Sequence, residues 1–255
     1  MKISIKKPKK KIKNKIKNKE AYNSELILQC KGLRKKYGSY YGVNNVNIEI
    51  EKGRIVGVLG PDGTGKSSLA KMIAGITFKS EGEILICGVP VGTDTKDMVS
   101  YMPEIPYYIG STRIYDILEL FRVMYSDFNY KRALKYLDSI GIGPKSTFGG
   151  VSATTAQIVQ VIIVMCRRAQ LYILDEPVAH LEPKYKDFVV KTILSNLEDD
   201  SAVLIFSKTA TEIHKILDDV MFIHRGQIKL SGTAEEIKQE YNKDIDFLYK
   251  EVFRC

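Results

Sequence analysis

The chain has no tryptophan, only three histidines and only four cysteines in 255 residues. His180, His214 and His224 lack metal-ligand spacing, and Cys30, Cys87, Cys166 and Cys255 never form C-x-x-C. These absences argue against a zinc site and a disulfide framework, and suit a reducing compartment with buried or bystander thiols. His180 and His224 are most simply loop residues, and no Ser/His/Asp or Cys/His nucleophile pattern stands out. Long hydrophobic runs are missing too. The best, Ile158 to Cys166, contains Gln160 and falls far short of the ~20 apolar residues that cross a bilayer. Acid is absent from Met1 to Lys19, which carries ten lysines and lacks the apolar centre of a secretory leader. Residues 1–24 are therefore expected to be a disordered lysine-rich tail, either solvated or in contact with anionic lipid or RNA. The formal net charge is +9, so without those ten lysines the remainder is near neutral and nucleic acid is an unlikely partner.

What is present is a chain that is 44% hydrophobic, enough for a sizeable core, organised around Gly60-Pro61-Asp62-Gly63-Thr64-Gly65-Lys66-Ser67. This segment fits G-x-x-x-x-G-K-[ST], with the apolar run Ile55 to Leu59 before it and a helical pattern after it, the strand–loop–helix context of a P-loop. Glycines let backbone N–H groups curl around a phosphate, Lys66 neutralises phosphate charge, and Ser67 offers a hydroxyl to Mg²⁺ at a helix N-terminus. Ser68 follows in the same turn and belongs to the expected binding set. Bound ATP with Mg²⁺ is the expected cofactor. A dinucleotide fingerprint fits poorly, because Ser68 stands where its third glycine belongs.

Leu26, Leu28 and Cys30 alternate on one face, as do Val46, Ile48 and Ile50, predicting half-buried antiparallel strands. Tyr37, in the loop between them, is a candidate to stack on a purine. Leu69, Met72 and Ile73 stand at helical spacing and Gly75 closes that helix, followed by a strand between Gly82 and Gly88. Ile114, Ile117, Leu118 and Phe121 form one helical stripe and Ala133, Leu134, Leu137 and Ile140 another, reading as an inserted helical lobe over about 104–150. A helix through Val161, Ile162 and Met165 leads to Leu171-Tyr172-Ile173-Leu174-Asp175-Glu176, an apolar run ending in two acids, as a buried parallel strand does where its carboxyl end meets ligand. Asp175 is the expected Mg²⁺ residue and Glu176 the expected base for a water aimed at the γ-phosphate. Another buried run, Ala202 to Ser207, follows. Val220 to Ile223 and Ile228 to Leu230 flank the turn His224-Arg225-Gly226-Gln227, and from Thr233 the chain reads as helical and polar. The expected fold is α/β: a P-loop NTPase core with an N-terminal antiparallel β subdomain and the inserted lobe.

In this order the motifs resemble the ATP-binding subunit of an ABC transporter, of bacterial exporter type, from Glu25 to the C-terminus. The resemblance implies that 25–255 is one ATP-binding domain. It implies a head-to-tail dimer, with itself or with another ATP-binding subunit, and an integral membrane permease as a separate chain. It also implies residence at the cytoplasmic face of the membrane. Four family positions depart from the usual pattern. Glu104, in Tyr101-Met102-Pro103-Glu104, takes the Q-loop position and keeps an oxygen ligand for Mg²⁺. The signature usually written Leu-Ser-Gly-Gly-Gln falls on Val151-Ser152-Ala153-Thr154-Thr155, where only Ser152 survives to meet nucleotide. Ala153 and Thr154 add Cβ atoms and restrict positive φ, which is expected to weaken closure. The D-loop reads His180-Leu181-Glu182-Pro183, and Lys208 replaces the switch histidine as a catalytic point charge. The leading expectation is a slow ATPase driving a permease. The alternatives are a regulatory nucleotide-binding subunit with little or no hydrolysis, and a soluble protein of this type acting on RNA.

Overall fold

The computed structural model describes residues 25–179, 181–211 and 213–253; the lysine-rich tail, His180 and Cys255 lie outside them. Among the described residues two sheets form from ten strands. An antiparallel sheet holds β1 (Leu26–Tyr37), β2 (Tyr40–Glu51), β4 (Glu81–Ile86) and β5 (Val89–Pro90) in the order β2-β1-β4-β5. It is therefore not wholly N-terminal, since β4 and β5 come after the P-loop. A six-stranded sheet runs β10-β9-β3-β8-β7-β6, from β3 (Ile55–Leu59), β6 (Val99–Met102), β7 (Leu171–Asp175), β8 (Ala202–Ser207), β9 (Asp219–His224) and β10 (Gln227–Thr233). All its pairs are parallel except β9 with β10.

The continuous apolar strands follow from burial on both faces. Alternate side chains of β3, Ile55 and Leu59 against Val56 and Val58, enter opposite cores. On one side lie the antiparallel sheet and α1 (Lys66–Ile73). On the other lie α2 (Ile114–Met124), α3 (Tyr130–Ser139), α4 (Ala153–Met165), α5 (Pro183–Asn196) and α7 (Ile245–Phe253). Every residue of α4 from Ile158 to Met165 is buried, so the longest apolar run is a core helix. Among the described residues no helix is long and apolar enough to cross a membrane. Burial pushes the Cys30 and Cys166 thiols up to about 12, consistent with packed thiols.

Three readings are corrected by packing. The shift of register between Leu26 and Leu28 in β1 buries Ile27 beside Leu28, leaving Leu26 half-buried. His224 ends β9 and packs near Phe253, so it is not a loop residue. The C-terminal stretch is polar in α6 (Ala234–Tyr241), but α7 buries Ile245, Leu248 and Tyr249.

Arg167 ties the helical side to the central sheet. Its guanidinium donates to Val99 O at 2.7 Å and Asp97 O at 2.7 Å, reaches both Asp127 oxygens at 3.1 and 2.9 Å, and lies 3.7 Å over the Tyr125 ring. It thus joins the start of β6 to the turn between α2 and α3. Arg167→Ala leaves buried carbonyls and a carboxylate without their donor and should destabilise the fold by about 2–4 kcal/mol in urea unfolding. A loss below ~1 kcal/mol would contradict this linkage.

Candidate functional site

The carboxyl ends of β3, β7 and β8 gather the polar residues. After Leu59 the chain turns at Gly60, where a Cβ would lie 2.4 Å from Ile223 O, so only glycine lets the loop leave the strand so close to β9. At Gly65 the backbone has φ 103°, and a Cβ would lie 2.1 Å from Gly42 O in β2. Thr64 Oγ1 donates to Pro61 O at 2.8 Å, and Gly226 N–H donates to Thr64 O at 2.9 Å, so the loop is braced from inside and from the β9–β10 turn. Lys66 donates its ammonium to Gly60 O at 2.6 Å and Pro61 O at 2.9 Å, spanning the loop. Burial lowers its pKa, opposed by the carboxylates of Glu176, Asp62, Asp175 and Glu104. No acidic residue lies in the first turn of α1, so its N-terminal dipole is left for an anion. Gly75, at φ 66°, ends α1 as expected, with Ile76 N–H bonding Lys71 O.

Asp175 is 1% exposed, and burial raises its pKa while a hydrogen bond from Ser67 opposes the rise. Its Oδ1 is buried with no hydrogen-bond partner among the described residues. Glu176 is 4% exposed and sits at φ 54°, a conformation unusual for a non-glycine residue. Burial pushes its carboxyl up to about 7, against the pull of Lys66 and of the Lys208 backbone and charge. That is the range a general base needs near neutral pH. Ser207 Oγ donates to Glu176 Oε2 at 3.3 Å, and Gln157 Nε2 donates to Glu176 O at 2.8 Å.

The residues expected from sequence thus fall into three places. Lys66, Ser67, Asp175, Glu176 and the Lys208 backbone share one site, and Glu104, though exposed, lies close enough for its charge to act on Lys66 and Asp175. Tyr37 is the last residue of β1, not a loop residue; its hydroxyl is 3.1 Å from Ser68 Oγ, placing the ring beside the first turn of α1. Ser152 caps α4: its hydroxyl accepts from Thr155 N–H at 3.1 Å and lies 2.9 Å from Thr155 Oγ1. Ala153 and Thr154 form the first turn of α4, and neither has positive φ. Their Cβ atoms therefore cause no backbone strain within this chain. The sequence reading missed Gln157, Ser207 and Tyr101, whose buried hydroxyl lacks a partner and whose pKa is raised by burial and by Asp175. Ser207 had a signal in its adjacency to Lys208 and Tyr101 in its place beside Glu104; Gln157 had none.

The residues fit a magnesium–nucleotide. Among the described residues no group of three or more His, Cys, Asp or Glu side chains is arranged to hold a metal by itself. The Ser67 hydroxyl and the unpartnered Asp175 oxygen offer hard oxygen ligands beside the loop, matching a cation that takes most of its ligands from phosphates and water.

A family model described as ABC transporter matches residues 43–179. The chain belongs to the ABC transporter family. Over 227 residues this family member is 28% identical to the lantibiotic transport ATP-binding protein SrtF of Streptococcus pyogenes, covering 87% of this chain and 98% of that protein. It is 24% identical to the bacitracin transport ATP-binding protein BcrA of Enterococcus faecalis, covering 88% of this chain and 74% of the relative. Among solved structures it resembles an ATP-binding subunit of an ABC transporter, with TM-score 0.80 and 23% identity over 88% of this chain and 98% of that one. A bacterial ABC transporter cassette solved as a dimer matches with TM-score 0.73 and 18% identity, over 81% of this chain and 98% of that one. The fold class expected from sequence agrees with these neighbours, and this ABC chain is an ATP-binding subunit.

In this ATP-binding subunit the tightest constraint on the loop is Gly65. Gly65→Ala must move Gly42 or relax the loop, at a cost of roughly 2 kcal/mol or more, and should lower the melting temperature together with nucleotide affinity. An unchanged melting temperature would contradict the close approach.

Proposed function

We propose that this chain binds ATP with Mg²⁺, closes on a second ATP-binding subunit, and uses slow hydrolysis to drive a separate integral membrane permease from the cytoplasmic face. The observation that carries the reading is the buried Lys66 ammonium across the glycine loop, opposite the unpartnered Asp175 oxygen and Glu176. Gly60 to Lys66 and the N-terminus of α1 bind the phosphates, with Ser67 and Ser68 in its first turn. Tyr37 lies against the base. Ser67, Asp175 and Glu104 hold Mg²⁺, which when bound neutralises phosphate charge. Glu176 orients and deprotonates water, while Lys208 supplies positive charge beside it. The relatives' names, lantibiotic transport and bacitracin transport, support an exporter.

Ser152 stands apart from this cluster, at the exposed N-terminus of α4, which supports a role toward the nucleotide of a partner subunit. There Ala153 and Thr154 act by filling space rather than by straining φ. A homodimer carries that filling in both sites, whereas a heterodimer sets this chain's P-loop against another signature. The second reading, a regulatory subunit with little hydrolysis, draws on the same two side chains.

Lys66→Ala removes a charge-assisted contact and should weaken Mg-ATP binding at least ~10-fold in calorimetry. Glu176→Gln should keep binding and lower turnover by ~10²–10⁴. Parent-like affinity in the first variant would overturn the loop's role, and parent-like turnover in the second would overturn that of Glu176. The pure chain should turn over below the ordinary enzyme range of roughly 1–10³ s⁻¹, and Ala153→Gly/Thr154→Gly should speed it. Fast turnover by the unmodified chain would contradict the slow-motor reading, and no gain from the glycines would transfer the defect to Lys208, read by Lys208→His.

A further inference from the structure

Helix α7 reaches the segment after β8 by two polar contacts. Tyr249 Oη donates to Lys208 O at 2.6 Å, and Thr211 Oγ1 donates to Asp246 Oδ1 at 2.5 Å. Asp246 is itself held by Lys250 at 2.7 Å. The helix is fixed on the sheet by rings: Tyr249 meets Phe222 of β9 edge-on at 5.8 Å and Phe253 at 4.7 Å. Between the two contacts Ala210, and just beyond them Ile213, are buried in the same core as Ile245 and Leu248. The segment is therefore held at both ends by α7 and at Ala210 by the core.

Lys208 is the residue whose backbone N–H bonds the Glu176 carboxylate, and Ser207 donates its hydroxyl to the same group. The N–H and the C=O of the single residue Lys208 thus meet Glu176 and Tyr249. We propose that Tyr249 is a positioning residue for hydrolysis: by holding the Lys208 carbonyl, α7 fixes the Lys208 backbone, and with it the orientation of Glu176. The inference rests on Glu176 being the base. It extends the residues that position Glu176 to a helix whose Tyr249 lies 41 residues after Lys208. A loosened α7 would leave the glycine loop and Lys66 intact, so nucleotide binding and hydrolysis separate.

The test uses the full chain. Tyr249→Phe keeps the ring and removes only the hydroxyl, and Thr211→Val removes the second contact. Each should lower the single-turnover hydrolysis rate at saturating Mg-ATP by about fivefold, the effect of one hydrogen bond, with ATP affinity and melting temperature unchanged. Amide hydrogen exchange across residues 207–211 should quicken in both variants; because it is read without turnover, a slow parent rate leaves the test decisive. Unchanged rate and exchange in Tyr249→Phe, or a rate that falls only in step with melting temperature, would overturn the inference. Glu176→Gln serves as the control. If it also leaves the rate unchanged, the base assignment fails and takes the inference with it; if it abolishes hydrolysis while Tyr249→Phe does not alter it, only the inference fails.

Discussion

Gly42 of β2, Gly65 of the phosphate loop and Gly226 of the β9–β10 turn bring three backbones into contact at one point. A Cβ on Gly65 would lie 2.1 Å from Gly42 O and 3.5 Å from the Gly226 Cα, and Asn44 N–H donates to Gly226 O at 2.8 Å. Because β2 belongs to the antiparallel sheet and the other two segments leave the six-stranded one, this contact sets how the sheets meet. It also fixes the phosphate loop from outside, through Gly226 N–H on Thr64 O. The loop's shape is therefore a property of the whole sandwich of layers, and Tyr37 comes to lie beside α1 because β1 and β2 are docked there.

A second consequence concerns charge. Lys66, Asp175 and Glu176 are all buried, a costly arrangement in an ordinary core. Mutual attraction offsets part of the desolvation, and burial still pushes both acids up and the lysine down. The cluster is thus under-compensated in a manner suited to an added anion and cation. Proteins retain such strain at sites that bind.

The motif letters were legible because a P-loop needs glycine and lysine at set spacing, and because strands buried on both faces must read as apolar runs. Asp175 and Glu176 were legible for the same reason, as acids ending such a run. What could not be read depends on contacts between distant segments: Gln157 under Glu176, Tyr249 on Lys208, and Arg167 across β6 and the α2–α3 turn. Nothing local marks those residues. At the signature position, where the family has glycines, Ser152 caps a regular helix that begins at Ala153. The apolar face of α7 was hidden by charged residues interleaved at helical spacing, so a polar impression overrode the period of 3.6.

The central claim is that the glycine loop, Lys66 and the Ser67–Asp175 pair form one site for a magnesium–nucleotide. Calorimetric titration of the purified chain with ATP, in Mg²⁺ and then in excess EDTA, tests it most directly. The account predicts saturable binding of one ATP per chain that weakens when Mg²⁺ is removed. Absence of binding, or affinity indifferent to the cation, would contradict it.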